Sequence, residues 1–330
     1  MEPAYWIGID LGGTKILTGL FDDKLNLLAR NKQPTGAENG PAGIFQRIAQ
    51  AVDAVMHEAK VEPNQIRGMG LAIPGQIEPT RPFVRFAPNL EWKELDLLPL
   101  YSPNWTWPVM VENDVRMGTY GEFAMGAARG AQNVFGIFVG TGVGGGFILN
   151  GELFKGFNGH AGEIGHIVLH WRRGTTLEGL AGRRNQMKRV KEMLDDAPKR
   201  VRKEWKEVDL DKVKSSQLAE FYMKDDPVAV MIIDDAARAV GAAIGSVVNL
   251  ISPEVVVIGG GVAGALGESF IERIWDIAQR YCLPRAAENV RCVPAELGDD
   301  SGIVGSAAYA KARISGNAQQ VSPQPSVKTI

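Results

Sequence analysis

The sequence predicts an α/β protein with two related domains and a cleft between them. A short apolar strand, a glycine turn and a returning strand occupy residues 5–21. The same pattern restarts with a strand at 134–139, a glycine turn at 140–146 and a returning strand at 147–149. Matching patterns in the two halves indicate a weak internal duplication. A length of 330 residues allows two domains.

The elements between and after these turns follow from hydrophobic periodicity. The predicted elements are a strand at 27–33, a helix at 41–60, strands at 66–73 and 109–112, an alanine-rich helix at 227–250, a strand at 255–258 and a helix near 265–281. The charged segment 183–214 is predicted to be a solvated helical excursion, with a basic docking face as the alternative. The tail at 315–330 is rich in Ser, Gln, Asn and Pro and is predicted to be disordered.

Composition and charge favour small molecules as partners. The net charge is −2 and 45% of the residues are hydrophobic, so nothing favours a nucleic acid or an anionic membrane. The longest apolar tract, 239–251, is shorter than the roughly 20 residues that span a bilayer. The first ten residues do not resemble a secretion signal. Two cysteines without a pairing framework fit a reducing compartment, so we expect a cytoplasmic protein.

Two glycine turns are candidate phosphate sites. The first, Asp10-Leu11-Gly12-Gly13-Thr14-Lys15, ends a strand, where glycines let backbone N–H groups approach an anion. Taken alone, it could equally be an ordinary hairpin turn. The second holds five glycines within 140–146, and two such turns facing one cleft would clamp a triphosphate. Neither turn fits the P-loop or the dinucleotide-binding pattern.

Three polar residues end or directly follow the strand predicted at 109–112. Glu112, Asn113 and Asp114 lie at its carboxyl end, where open α/β sheets bind ligands. They also open a helix that is predicted to run to residue 125. Asp114 can cap this helix, or it can be the general base that phosphoryl transfer to an alcohol requires.

A glycine-flanked segment at 159–166 carries Glu163 and His166, and Glu178 follows further along the chain. The glycines allow a polyhydroxylated ligand to approach closely. Solvated loop side chains are the alternative interpretation for each of these three residues. A metal held by His166 and His170 is not favoured, because the apolar residues between them predict a strand that separates the two rings.

Taken in order, these motifs resemble the ROK family, whose members include repressors and bacterial glucokinases, fructokinases, mannokinases and N-acetylhexosamine kinases. The resemblance extends to about residue 312. It implies a two-domain, actin-like ATPase (ribonuclease H-like) fold with an interdomain cleft. A small domain of 1–116 would be completed by a helix at about 302–314, and 117–301 would form a large domain that binds nucleotide and sugar.

The resemblance also implies an ATP-dependent hexose kinase. Its sugar would be glucose, with fructose, mannose or an N-acetylhexosamine as alternatives. Asp114 is then the catalytic base, and Asp10 orients Mg²⁺ directly or through water. The implied sugar-binding residues are Gly75, Asn89, Asn113, Asp114, Glu163, His166 and Glu178. The implied ATP-binding residues are Asp10, Gly12, Gly13, Thr14, Lys15, Gly140, Thr141, Gly142, Gly260 and Gly261.

One segment departs from the family pattern. ROK kinases commonly carry a cysteine-rich zinc motif that ends in Leu-Glu, whereas residues 170–178 keep Leu177 and Glu178 but contain no cysteine. A single histidine does not hold a tetrahedral structural zinc. We therefore expect no zinc, and we expect packing or salt links of Arg172 and Arg173 to brace the sugar-binding loop.

Two other classes of function compete with a kinase. A repressor of the family would carry a DNA-binding module ahead of the kinase-like body, and none is expected because the first phosphate turn already begins at Asp10. A catalytically silent sugar-binding protein is disfavoured by the presence of Asp114 together with both phosphate turns. A polyphosphate donor or a non-sugar acceptor stays open. The resemblance suggests a homodimer.

Overall fold

The structure of the protein, a computed structural model, describes residues 4–196 and 203–316. In these ranges the strands are β1 (Tyr5–Leu11), β2 (Lys15–Phe21), β3 (Leu27–Pro34), β4 (Ile66–Ile73), β5 (Gln76–Ile77), β6 (Phe83–Ala87), β7 (Trp92–Asp96), β8 (Val109–Asn113), β9 (Val134–Val139), β10 (Val143–Leu149), β11 (Glu152–Phe154), β12 (Val168–His170), β13 (Thr175–Thr176), β14 (Val255–Gly259) and β15 (Arg291–Pro294). The helices are α1 (Gly40–Ala59), α2 (Asp114–Ala124), α3 (Leu177–Ala181), α4 (Arg183–Asp196), α5 (Ser215–Met223), α6 (Pro227–Ile251), α7 (Gly261–Leu266), α8 (Glu268–Gln279) and α9 (Ser301–Ser315).

Ten of these strands form two five-stranded sheets with the same topology, while β5-β6-β7 and β12-β13 form two smaller sheets. The first sheet has the order β3-β2-β1-β4-β8, and the second has the order β11-β10-β9-β14-β15. In each sheet an antiparallel hairpin, β1–β2 or β9–β10, is followed by two strands that run parallel to its first strand. The matching topologies confirm the predicted internal duplication.

Burial explains why the central strands are apolar. Every residue of β14 is buried, and β1 is buried from Trp6 to Ile9. Parallel strands are normally covered by helices on both faces, and such strands read as continuous apolar runs. Helices α1 and α9 pack on the first sheet, and α2, α7 and α8 pack on the second. Helix α6 contributes its apolar residues to the core of the second half.

The last helix, α9, returns to the first sheet. It packs on β1, β4 and α2, and the backbones meet at glycines. A Cβ at Gly8 would overlap the carbonyl oxygen of Ile303, and one at Gly305 would overlap the carbonyl oxygen of Met117. This packing supports our proposal that a small domain of 1–116 is completed by the helix at 302–314, with 117–301 as the large domain.

Three predicted boundaries are wrong. The second glycine turn spans only 140–142, because β10 begins at Val143 and its glycines pair with β9. The helix predicted near 265–281 is two helices, α7 and α8, separated by Gly267 with a φ of 78°. Helix α9 includes Ser315, so the predicted tail begins too early. The remainder of that prediction, 317–330, lies outside the described residues.

The prediction that 183–214 stays outside the core is also wrong for its described residues. Met187 and Val190 of α4, and Trp205 and Val213 after it, are buried in the core of the second half. Met187 and Val190 are three positions apart and therefore share one face of the helix. The segment is amphipathic, and its many charges hide this apolar face from a reading of composition alone. In the described ranges no helix is long and apolar enough to cross a membrane.

Candidate active site

The junction between β8 and α2 positions three polar side chains. Asn113 caps α2, because its Oδ1 accepts hydrogen bonds from the backbone N–H groups of Val115 and Arg116 at 3.0 and 3.1 Å. The Asn113 Nδ2 group donates to the carbonyl of Gly75 at 3.1 Å. The interpretation of Asp114 as the cap is therefore wrong. Asn113 comes one residue earlier and already satisfies those donors, so the carboxylate of Asp114 is left for another role.

Asp114 lies in an environment that keeps its carboxyl basic. Burial raises the pKa of Asp114 to about 6, and the negative charge of Glu163 also raises it. Hydrogen bonds from the Val115 backbone N–H at 2.9 Å and from Asn113 Nδ2 at 3.0 Å hold the Oδ1 atom of Asp114. A carboxylate with a pKa near the working pH is suited to act as a general base.

A buried ion pair connects this junction to the segment that carries Glu163. Glu112 and Arg116 are 2% and 1% exposed, and Glu112 Oε1 lies 2.9 Å from Arg116 Nη1. Lys155 Nζ lies 3.4 Å from the other carboxylate oxygen of Glu112. Arg116 Nη2 donates to the carbonyl of Gly159 at 2.5 Å. Helix α2 is therefore bonded directly to the start of the segment at 159–166.

Asp10 lies close to Asp114, and the pKa values of both carboxyls are raised. Burial raises the pKa of Asp10 to about 7, the charges of Asp114 and Asp299 also raise it, and Lys15 lowers it. The carboxyl of Asp10 lies against Gly302 at the start of α9. Two neighbouring carboxylates with raised pKa values fit a bound cation, which would relieve their repulsion.

The donors around Asp10 suit magnesium. Mg²⁺ is usually held by one or two carboxylates together with waters and substrate phosphates, so it needs no larger protein cage. Among residues 4–196 and 203–316, no group of three or more His, Cys, Asp or Glu side chains could hold a metal ion. The zinc-free sugar-binding loop stays a prediction.

The first glycine turn is braced by Thr35 and meets the segment at Asn89. Thr35 is fully buried, and its hydroxyl donates to the Gly12 carbonyl at 2.6 Å. A Cβ at Gly13 would lie 3.2 Å from the carbonyl oxygen of Asn89. Lys15 forms an ion pair with Asp299 at 2.7 Å. The turn is therefore tied to the loop before α9 as well as to Asn89.

The second glycine turn is held by Glu178. The Glu178 Oε2 atom accepts from the Val143 backbone N–H at 2.9 Å, and a Cβ at Gly142 would overlap that oxygen. A Cβ at Gly140 would lie 3.9 Å from the backbone nitrogen of Gly261. Gly260, with a φ of 91°, packs its backbone against Val139 at the end of the same strand. The two glycine segments of the second half, 140–142 and 260–261, therefore lie against each other.

The structure places the predicted sugar-binding residues at four separate positions. Gly75, Asn113, Asp114 and Glu163 surround the start of α2 through the contacts described above. Asn89 lies beside the first glycine turn, and Glu178 holds the second. His166 is exposed, and within the described residues its side chain forms no hydrogen bond or ion pair. The individual ligand-binding roles stay predictions.

The predicted bracing of the sugar-binding loop by Arg172 and Arg173 takes a different form. Within the described part of the chain neither arginine forms an ion pair. The Arg172 guanidinium instead lies 5.0 Å from the ring centre of Trp171, which is 79% exposed. The loop is held by the antiparallel pairing of β12 with β13 and by the fully buried Leu177.

Sequence reasoning missed four basic residues near the site. Arg116 and Lys155 pair with Glu112, while Arg183 and Arg184 begin α4 beside the second glycine turn. Only Glu112, near the end of β8, and Arg116, in the first turn of α2, are close enough in the sequence to give a local signal of pairing. The other contacts join residues far apart in the sequence.

We predict that Asp10→Asn stabilises the ligand-free protein at high pH. The pKa of Asp10 is about 7 in the folded protein and 3.8 ordinarily, so the folded state binds the extra proton between these values. Wild-type stability therefore falls as the pH rises from about 4 to above 7, by at most about 4 kcal/mol. The variant lacks this loss, so its advantage in urea unfolding should be larger at pH 8 than at pH 5.

The control for this prediction is Asp53→Asn on the exposed face of α1, which should not change the pH dependence. Magnesium and nucleotide must be left out, because a bound cation would relieve the same repulsion. An Asp10→Asn variant that is less stable than wild type at pH 8 would contradict the prediction.

Known proteins resemble this chain over nearly its full length. A model of the ROK family matches residues 6–313. A glucokinase from Halalkalibacterium halodurans is 32% identical over 320 residues, which cover 92% of this chain and 94% of that protein. A xylose repressor from Caldicellulosiruptor bescii is 26% identical over 269 residues, which cover 79% of this chain and 67% of the repressor. Enzymes and regulators therefore both occur among its relatives.

A solved structure agrees in fold as well. The crystal structure of a ROK family glucokinase from Streptomyces griseus, in complex with glucose and AMPPNP, has a TM-score of 0.79 and 28% identity. The match covers 94% of this chain and 100% of that one. This chain therefore belongs to the ROK family and has the two-domain, actin-like ATPase fold that its sequence predicts.

Proposed function

We propose that the protein is an ATP-dependent hexose kinase that converts glucose to glucose 6-phosphate. The observation that carries this proposal is the Asp114 carboxylate, which directly follows β8 and whose pKa is raised by burial to about 6. Phosphoryl transfer to an alcohol depends on positioning, on charge stabilisation and on a base near the attacking hydroxyl. Asp114 has the chemistry of that base.

In the proposed mechanism Asp114 accepts the proton of the sugar hydroxyl while the hydroxyl oxygen attacks the γ-phosphorus of ATP, and the bond from that phosphorus to the leaving ADP breaks. Asn113 and Glu163 would bind other sugar hydroxyls, with Asn89, His166 and Gly75 completing the pocket. The capping bonds of Asn113 hold its amide in a fixed orientation. Positioning of this kind lowers the entropic cost of bringing the two reactants together.

The phosphate chain would lie between the two glycine turns. Backbone N–H groups near Gly13, Thr14, Thr141 and Gly142 would stabilise the charge that develops on the phosphates. Asp10 would hold Mg²⁺, which neutralises phosphate charge when bound. Glu178 would set the position of the second turn through its bond to Val143, in addition to any contact with the sugar.

Two findings support glucose and ATP over other choices. The relative from Halalkalibacterium halodurans is named a glucokinase, and the structure from Streptomyces griseus contains glucose and AMPPNP. Fructose, mannose and N-acetylhexosamines have hydroxyls that the same side chains could bind, so they are the alternatives. A homodimer and a cytoplasmic location remain predictions of the sequence.

The test is ADP release from the purified full chain with Mg-ATP across glucose, fructose, mannose, N-acetylglucosamine and N-acetylmannosamine. Rapid turnover on glucose, unchanged after treatment with a zinc chelator, is the expected result. Turnover on another sugar would correct the substrate. Silence across the panel with retained sugar binding would contradict the kinase and favour a regulatory sugar-binding protein.

A further inference from the structure

Two consecutive arginines begin α4 directly beside the second glycine turn, and the mechanism above uses neither. The Arg183 backbone N–H donates to the carbonyl of Gly140 at 3.0 Å, and that of Arg184 donates to the carbonyl of Thr141 at 3.1 Å. The start of the helix is therefore bonded to the turn, and both side chains leave the backbone there.

The Arg183 side chain turns back toward the glycine turn. Its Nη2 atom donates to Thr141 Oγ1 at 3.1 Å, and its Nη1 atom donates to Ser215 Oγ at 2.9 Å. The side chain is half-buried, and burial lowers the pKa of its guanidinium. Both partners are neutral hydroxyls, and among the described residues no carboxylate pairs with Arg183.

A half-buried cation without an acidic partner is electrostatically unfavourable, because neutral hydroxyls replace only part of its lost hydration. Other arginines of the same chain show the usual solution. Arg189 on the same helix pairs with Asp235, and Arg273 pairs with Asp234. Among the described residues, the environment of Arg183 therefore lacks the acidic partner that Arg189 and Arg273 have.

The space around Arg183 suits a phosphate. A Cβ at Gly261 would lie 3.1 Å from Ser215 Oγ, and one at Gly140 would lie 3.9 Å from the Gly261 nitrogen. Gly140, Thr141, Ser215, Gly261 and Arg183 therefore surround one region. A guanidinium has five N–H donors in a planar fork that matches two phosphate oxygens, and only two of its nitrogens are used by hydroxyls here.

We propose that Arg183 is a donor-binding residue that contacts the linked phosphates of the phosphoryl donor at the second glycine turn. This inference rests on the proposed kinase function. The ligand it requires is a chain of two or more phosphates, which a nucleotide or an inorganic polyphosphate supplies equally. The competing explanation is that Arg183 only fastens α4 and α5 to the turn.

The experiment compares Arg183→Gln, Arg183→Lys and a control, Arg238→Gln, on the exposed face of α6. Calorimetry on the full chain measures binding of ATP, ADP, adenosine and tripolyphosphate. We expect Arg183→Gln to weaken ATP and ADP binding about 10- to 100-fold, which is the value of a hydrogen bond to a charged group. Adenosine binding should not change, Arg183→Lys should restore part of the loss, and Arg238→Gln should match wild type.

A purely structural role gives a different pattern. Equal weakening of adenosine and ADP, or unchanged ADP affinity in Arg183→Gln, would overturn the proposal. Tripolyphosphate binding that is lost in Arg183→Gln would show that the site also accepts an inorganic chain, and binding of nucleotides alone would identify the nucleotide as the source. A wild-type protein that binds ATP but phosphorylates no sugar would contradict the proposed function without affecting this comparison.

Discussion

Replacing Asp114 by asparagine is expected to reduce kcat by about 10²- to 10⁴-fold, the usual contribution of a general base. Asparagine has the same shape, and its carbonyl oxygen can still accept from the Val115 backbone N–H, which lies 2.9 Å from Oδ1 in the structure. The amide cannot take a proton from the sugar hydroxyl. Because the geometry is kept while the base is lost, the KM for the sugar should change little.

The pH dependence gives a second readout of the same group. A base is active when it is deprotonated, and burial raises the pKa of Asp114 to about 6. Wild-type kcat should therefore rise as the pH increases through about 6 and level off above it. Asp10 lies close enough for the two titrations to be coupled, so the measured pKa belongs to the pair. The residual rate of Asp114→Asn should lack this acid limb.

The measurement is steady-state kinetics with the sugar that the panel identifies, from pH 5 to pH 8. Asp53→Asn is the matched control, since Asp53 lies on the exposed face of α1, and it should behave as wild type. Sugar binding by Asp114→Asn, measured by calorimetry, shows that the site is intact. Turnover within a few-fold of wild type would contradict the assignment of Asp114 as the base.

Arg116→Met is expected to destabilise the fold by about 3 kcal/mol, because it leaves the Glu112 carboxylate buried without its main partner. Glu112 and Arg116 are 2% and 1% exposed and 2.9 Å apart. Lys155 Nζ, 3.4 Å from Glu112, would compensate part of the charge, so the cost should lie near the lower end for a broken buried pair. The bond from Arg116 to Gly159 is lost as well.

Urea unfolding measures this cost, and two further variants show its origin. Arg285→Met removes an exposed ion pair with Glu288 and should cost less than about 1 kcal/mol. The double change Glu112→Met with Arg116→Met removes both charges and should be more stable than Arg116→Met alone. If Arg116→Met costs no more than Arg285→Met, the buried pair does not stabilise the site in this way.

Local pattern was enough to predict most of the fold. Strand β9 was predicted at the bounds that the structure has, 134–139, because a short apolar run that ends in glycines has few alternatives. The repeated strand, turn and strand also predicted the duplication that both sheets display. The errors arose where a local signal was ambiguous. Glycines 144–146 resemble a turn by composition, but pairing with β9 makes them strand residues.

The sequence by itself determined the fold class, the two glycine turns and the acidic residue after β8, because each depends on neighbours within a few positions. The tertiary structure decided which side chain caps α2, since Asn113 takes the cap and Asp114 does not. It also brought Asp10 beside Asp114, and it placed Arg183 against Thr141 and Ser215. The raised pKa of Asp10 and the lack of an acidic partner for Arg183 among the described residues both depend on residues far apart in the chain, because burial and charge act through space.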